Sequence, residues 1–258
     1  MITKEQGAPE LGAVTFSDMK SALCKGWADM RHAPVYGLVV ASICVAFGLL
    51  LFWVTSTTGK SYWLVFAAVG FPLFGPFTAV ALYEVSHRID YGEPLVFSDI
   101  FGIVLHQARR QLPSLCAIIL MVFLFWFFIA HMIFALFLGL STMTNVSSSL
   151  EVYLSSDGLT MLAVGTIIGA LFALLLFMIT VFAMPMLLDR EIDFVTAMIT
   201  SFAAVQNNLI PMVFWGILIA GLTFLGMVPA FLGLYIVLPL LGHASWHLYR
   251  AAEARAEA

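Results

Sequence analysis

The sequence predicts an all-α membrane protein: six transmembrane helices, arranged as three repeats of an interfacial helix plus a transmembrane hairpin, with both termini cytoplasmic. Composition, six long apolar stretches and the distribution of basic residues predict this fold. Of the 258 residues, 62% are hydrophobic and 10% are charged, whereas a soluble domain has about 25% charged residues. Because so few charges cannot cover a surface that faces water, lipid must be a large part of the solvent.

Each apolar stretch is long enough to cross a bilayer. A hydrocarbon core of about 30 Å needs about 20 helical residues. The fourth stretch is longer than this, so it must tilt, kink near Pro185 or extend beyond the bilayer. The predicted spans are 34–54, 61–83, 113–140, 158–188, 211–228 and 230–248.

The basic residues lie mostly on one side of these spans. The odd-numbered connections hold Lys60, while the other ten of the 11 Lys and Arg residues lie in the termini and the even-numbered connections. Because cytoplasmic loops carry the excess of Lys and Arg, we predict a multi-pass protein of the bacterial inner membrane. Residues 1–15 lack an apolar signal-peptide segment and are expected to form a flexible tail, as are residues 253–258.

A loose threefold pattern runs through residues 16–252, with units of about 16–94, 95–192 and 193–250. Each unit begins with a short amphipathic stretch that leads from a phenylalanine to a proline: Phe16 to Pro34, Phe97 to Pro113, and Phe194 to Pro211. The returning span of each unit carries a further proline, at Pro76, Pro185 and Pro239. Internal repeats are common in membrane proteins. The amphipathic stretches are expected either at the membrane surface or as packed connectors.

A few ionisable residues near the cytoplasmic ends of the returning spans are candidates for a site. Carboxylates and imidazoles three or four residues apart share a helix face, and together they could bind a transition metal or relay a proton. The alternative is structural, because residues at span boundaries often hydrogen-bond helix ends or extend to water. The candidate metal ligands are Glu84, His87, Asp189, His243 and His247.

Motifs of known enzymes are absent from the sequence: there is no H-E-x-x-H, no G-x-S-x-G and no P-loop. No cofactor is predicted, although the sequence leaves a metal or haem open. Gly165 and Gly169 form a G-x-x-x-G pattern that favours close helix packing. The net charge of −4 argues against a nucleic-acid partner.

Three stretches of the sequence, 71–76, 83–94 and 238–250, carry a resemblance to a known family. With them the chain resembles, from about residue 20 to 252, a bacterial family of integral membrane proteins of unknown function. Some members of that family carry the label of a cytochrome c oxidase subunit. The resemblance implies an inner-membrane protein. A haem-copper catalytic subunit needs several membrane-embedded histidine ligands, so an accessory or assembly role is the compatible one.

The sequence therefore favours a non-catalytic accessory or assembly protein that contacts the lipid bilayer and packs against a respiratory or energy-transducing complex. The alternative is a small-solute, ion or metal transporter that uses the cytoplasmic-side cluster of His, Glu and Asp. A metal-dependent membrane enzyme using the same cluster is a third class.

Overall fold

The computed structural model describes residues 6–59, 64–139 and 151–256; within the third helix, side chains are described from Gly75 onward. All regular secondary structure in these residues is helical. Among them, four helical segments are long and apolar enough to cross a membrane: Pro34–Thr58, Leu112–Leu138, Ser156–Asp189 and Leu209–Met227. The predicted connection at Lys60 lies outside the described residues.

The helices follow the predicted order along the chain. They are α1 (Phe16–His32), α2 (Pro34–Thr58), α3 (Leu64–Tyr91), α4 (Phe97–Gln107), α5 (Leu112–Leu138), α6 (Glu151–Leu154), α7 (Ser156–Thr180), α8 (Ala183–Asp189), α9 (Phe194–Asn207), α10 (Leu209–Met227) and α11 (Leu234–Ala254). Four of the six predicted spans thus match candidate membrane helices. The second and sixth correspond to α3 and α11, which are not among the four.

The three amphipathic stretches form the helices α1, α4 and α9, each starting at the predicted phenylalanine. At the start of α1, Thr15 and Asp18 form a capping box in which each side chain accepts a hydrogen bond from the backbone amide of the other. The buried face of α1 is Met19, Ala22, Gly26 and Asp29. Trp27, outside that face, is exposed.

Small residues dominate the buried face of α1 because this helix packs closely against α11. A Cβ atom added at Gly26 would lie 2.7 Å from the backbone nitrogen of Ala244, so a larger residue would push the helices apart. Each of the other two amphipathic helices packs on the returning helix that comes before it in sequence: α4 contacts α3, and α9 contacts α7 and α8. All three therefore pack on returning helices of the bundle.

The described part of the N-terminal tail, residues 6–15, lies along the ends of α8, α9 and α11. The amide of Gly12 donates to the carbonyl of Ala252 (2.8 Å), and the amide of Val14 donates to the side-chain carbonyl of Asn208 (2.9 Å). Arg255 pairs with Asp18 at 2.9 Å. The tail and α1 thus join the two ends of the chain.

The long fourth span is broken between α7 and α8, close to Pro185, where a kink is one of the three expected alternatives. Pro185 has no amide hydrogen and cannot continue the ladder to the carbonyl of Val181. One turn earlier, the hydroxyl of Ser201 on α9 accepts from the amide of Phe182 (3.1 Å) and donates to the carbonyl of Met178 (2.7 Å). Because Phe182 and Met178 would pair directly in a regular helix, Ser201 is inserted into the hydrogen-bond ladder and satisfies both groups.

Candidate functional site

Asp29 is the centre of a buried polar cluster that joins α1, α3 and α11. Its Oδ2 atom accepts hydrogen bonds from the hydroxyl of Ser86 (2.7 Å) and from Nε2 of His247 (2.7 Å). All three side chains are buried. Burial raises the pKa of the Asp29 carboxyl, but the hydrogen bonds from His247 and Ser86 and the nearby imidazoles outweigh it, so the pKa lies below its ordinary value. Asp29 is therefore ionised at neutral pH.

His243 extends this cluster by one further hydrogen bond. Its Nδ1 atom lies 2.8 Å from the hydroxyl oxygen of Ser86. Because the single hydrogen of that hydroxyl is donated to Asp29, Nδ1 of His243 must carry the proton and donate to Ser86. Nε2 is then the acceptor nitrogen. It is buried and has no partner with hydrogen-bond geometry among the described residues.

A second group of polar contacts surrounds the cluster at the end of α3. The indole nitrogen of Trp246 donates to Oδ2 of Asp90 (2.9 Å), and Nδ1 of His247 lies 3.7 Å from the same oxygen. The ring of His87 packs edge-on against Trp246, with centroids 5.3 Å apart. His247 is therefore oriented by its hydrogen bond to Asp29 through Nε2, with the carboxylate of Asp90 close to its other ring nitrogen.

Glu84, one turn above Arg88, belongs to a separate ion pair. Nε of Arg88 donates to Oε1 of Glu84 at 2.6 Å, and Nη1 of Arg88 donates to the carbonyl of Pro94. Both side chains are largely buried. The pair therefore satisfies two charges within α3 and ties the end of that helix to the connection that follows.

Asp189 belongs to a third cluster, between α8 and the end of α11. The hydroxyl of Tyr249 donates to Oδ2 of Asp189 at 2.8 Å. Nη2 of Arg190 pairs with Glu253 at 2.6 Å, and Arg250 donates to the other oxygen of Glu253. Burial lowers the pKa of Arg190, but the bond and charge of Glu253 outweigh it, so the pKa is raised and the guanidinium stays charged. We call the Asp29, Glu84 and Asp189 clusters together the polar end of the bundle.

The structure thus separates the five candidate ligands into different environments. His243 and His247 share the Asp29 cluster, His87 stacks beside it, and Glu84 and Asp189 have their own arginine or tyrosine partners. Within the described ranges, no three His, Cys, Asp or Glu side chains are grouped so that they could hold a metal ion. Of the glycine pair, Gly169 faces Trp126 of α5, whereas a Cβ at Gly165 would meet no atom within 4 Å.

Sequence reasoning missed Asp29 and Ser86, which complete the central cluster. Asp29 follows Ala22 and Gly26 on one face of α1, and an acidic residue on a face of small residues is a signal of close approach to a polar partner. Ser86 lies between two candidates in sequence, and a lone serine in an apolar helix carries little signal. Their pairing with α11 depends on the helix order, which one sequence does not reveal.

The helices and buried polar clusters define a polytopic integral membrane protein. A family model described as a predicted integral membrane protein (DUF2189) matches residues 64–189, from α3 to α8. This confirms the resemblance to an integral-membrane family of unknown function, over a shorter range than the sequence reading gave, and the stretch 238–250 lies outside it. No curated protein and no solved structure matches the chain.

Proposed function

We propose that this chain is a non-catalytic protein of the bacterial inner membrane that packs against other components of a respiratory or energy-transducing complex. One observation carries the proposal. The buried ionisable side chains of the polar end bind each other between α1 and α11, between the end of α8 and α11, and within α3, so they stabilise the bundle. Charges committed to internal partners in this way are poorly placed to bind a substrate.

The apolar surface supports the same proposal. Of the 18 most apolar consecutive residues of α5, only 6% are buried inside the chain, against 17–22% of the matching stretches in the other three candidate spans. Phe125 and Phe128 project from this helix and are 62% and 71% exposed. Large aromatic side chains are enriched at protein–protein interfaces. We infer that α5 carries the contact with the complex.

The topology is part of the proposal. The ten basic residues outside the connection at Lys60 support a cytoplasmic location for both termini and for the polar end. The cyclic arrangement supports the threefold repeat: α4 packs on α3, α9 packs on α7 and α8, and α1 packs on α11, the last helix of the third unit. Each unit then places its first helix on the returning helix of the unit before it.

Affinity purification of the tagged protein in mild detergent, with mass spectrometry and an absorption spectrum, tests the proposal. We expect a stoichiometric membrane complex to co-purify with the native chain. In the double variant Phe125→Leu, Phe128→Leu, recovery of the complex should fall on the order of tenfold, because aromatic anchors dominate interfaces. The matched control is Phe224→Leu on α10, a residue 69% exposed, which should retain the complex. Recovery of a lone protein from native membranes would contradict the proposal.

Transport of a small ion or proton is the second candidate. One observation favours it: His243 combines a fully buried ring with an unpartnered Nε2, next to the Asp29–Ser86 pair. Such a group could accept a proton from a passing ion or water. Flux measurements on the purified protein separate the two candidates.

A further inference from the structure

The turn between α10 and α11 differs in composition from the described ends of α2 and α7 on the same side of the bundle. Its seven residues, Met227 to Gly233, carry no polar side chain. By contrast, α2 ends in Thr55 to Thr58, and α7 begins at Ser155 to Asp157. Polar residues are expected where a helix leaves the membrane, and an apolar turn is expected where it does not.

The contacts of α11 with α2 and α3 show that this turn does not extend as far from the polar end as those two helices do. A Cβ at Gly37 would lie 2.8 Å from Cβ of Pro239, and a Cβ at Gly48 would lie 3.2 Å from the ring of Phe231. From Gly48, α2 continues ten residues to Thr58, about 15 Å at 1.5 Å per residue. A Cβ at Gly242 would likewise meet the side chain of Leu82. Measured from this contact, the start of α3 at Leu64 lies about 15 Å further away than the start of α11 at Leu234.

A contact between α7 and α10 gives the same result independently. Gly216 faces the ring of Phe177. From this level α10 continues 11 residues to Met227, while α7 continues 21 residues to Ser156, a difference of about 15 Å. Allowing one helical turn of about 5 Å for the connection itself, the hairpin ends about 10 Å short of its neighbours.

Several large side chains beyond the level of the turn are apolar and exposed. They include Phe52 on α2 and Leu159 and Leu162 on α7, which are 63%, 53% and 44% exposed. Exposed apolar surface of this kind needs lipid around it. The hydrocarbon layer must therefore extend past the end of the hairpin.

The backbone of the turn is suited to hydrocarbon. Seven of the eight amides from Ala230 to Val237, all but that of Gly233, donate to carbonyls within the turn or the first turn of α11. Backbone groups in a bilayer have no water to bind and must be satisfied internally. Ala230 and Phe231 adopt positive φ angles of 49° and 66°, which cost roughly 1–2 kcal/mol each for residues other than glycine. These two backbone conformations reverse the chain direction within a short turn.

We propose that the α10–α11 hairpin is re-entrant, and that its apolar turn ends inside the bilayer in contact with lipid acyl chains. The hairpin enters and leaves on the side of the polar end. The distal leaflet above the turn is then bounded by α2, α3, α5 and α7 and filled by lipid. This goes beyond the proposed function, since it holds whether the chain is an accessory protein or a transporter.

Depth measurement by spin labelling tests the proposal in liposomes. Single cysteines replace Val228, Ile167 and Thr57 in a background with Cys24, Cys44 and Cys116 changed to alanine, and each carries a nitroxide. Val228 is 68% exposed and Ile167 is 63% exposed, so both labels report lipid depth. Ile167 is level with the turn on α7, and Thr57 lies at the end of α2. Oxygen and nickel-chelate accessibilities give the depths.

We expect the label at 228 to lie at least about 8 Å deeper than the label at 57, at the depth of the label at 167. A smaller difference would overturn the proposal, because the turn would then reach the distal surface. Leu232→Cys, 59% exposed, gives a second reading of the same turn if the Val228 variant does not fold.

Discussion

At the scale of single residues, Asp29 is the side chain that connects α1 to α3 and α11. It is the acceptor for Ser86 on α3 and for His247 on α11. Three helices therefore meet at one carboxylate oxygen. The small residues around it, Ala22 and Gly26, allow the backbones to approach closely enough for these short side chains to touch.

Removing this carboxylate should destabilise the protein strongly. Asp29→Ala leaves two buried donors without an acceptor, and breaking a buried charged pair costs about 3–5 kcal/mol. Asp29→Asn should cost less, because its carbonyl oxygen still accepts. Thermal unfolding in detergent measures both; at about 2–4 °C per kcal/mol for a chain of this size, the alanine variant should lose about 6–20 °C. The exposed residue Glu10 provides a control in Glu10→Ala. Equal melting temperatures for Asp29→Ala and this control would refute the role of Asp29.

Asp18 gives a pH dependence with a defined sign. Partial burial raises its pKa, but the hydrogen bonds from Thr15 and the pairing with Arg255 outweigh it, so its pKa is lowered in the folded chain. Its stabilising effect is therefore complete above the ordinary pKa of about 3.9 and is lost as the pH falls through the lower folded value. The stability difference between native protein and Asp18→Asn should be constant from pH 7 to 5 and shrink in more acidic solution. A difference that grows on acidification would contradict this sign.

At the scale of helices, the break between α7 and α8 shows how a kink is stabilised in a span. From the sequence, a kink near Pro185 is one of three ways to fit the long fourth stretch, because Pro185 lacks an amide hydrogen. The sequence did not predict Ser201, because the inserted hydroxyl comes from α9 and its position depends on how two helices pack. The same limit applies to α1: the sequence predicts a helix starting at Phe16, but which face is buried depends on α11.

The variant Ser201→Ala tests the inserted hydroxyl. It removes the bridge between Phe182 and Met178, so the ladder must close by straightening the helix or leave a buried donor and acceptor unpaired, which costs about 1–3 kcal/mol. We expect a lower melting temperature, measured in detergent. The exposed Ser98 on α4 supplies the control variant Ser98→Ala. A melting temperature unchanged in Ser201→Ala and in the control would show that the bridge adds no stability.

At the scale of the whole molecule, composition and apolar length predicted an all-helical membrane protein because burial in lipid acts on every residue of a span. The number of complete spans is harder to predict. The stretches 211–228 and 230–248 have the length of spans, yet the contacts of Gly37, Gly216 and Gly242 set how deep the hairpin goes. The candidate site was predicted in part: His243 and His247 do meet in one cluster, whereas Glu84 and Asp189 pair elsewhere.

The central claim is that the buried ionisable groups of the polar end hold the helices together and carry no flux. Proton flux into liposomes containing the purified protein, followed with an internal pH-sensitive dye under an imposed gradient, tests it most directly. Liposomes without protein are the baseline, and an ionophore gives the maximal signal. We predict a flux equal to the baseline for the native chain and for Asp29→Asn. A flux above the baseline that Asp29→Asn removes would contradict the account and establish transport.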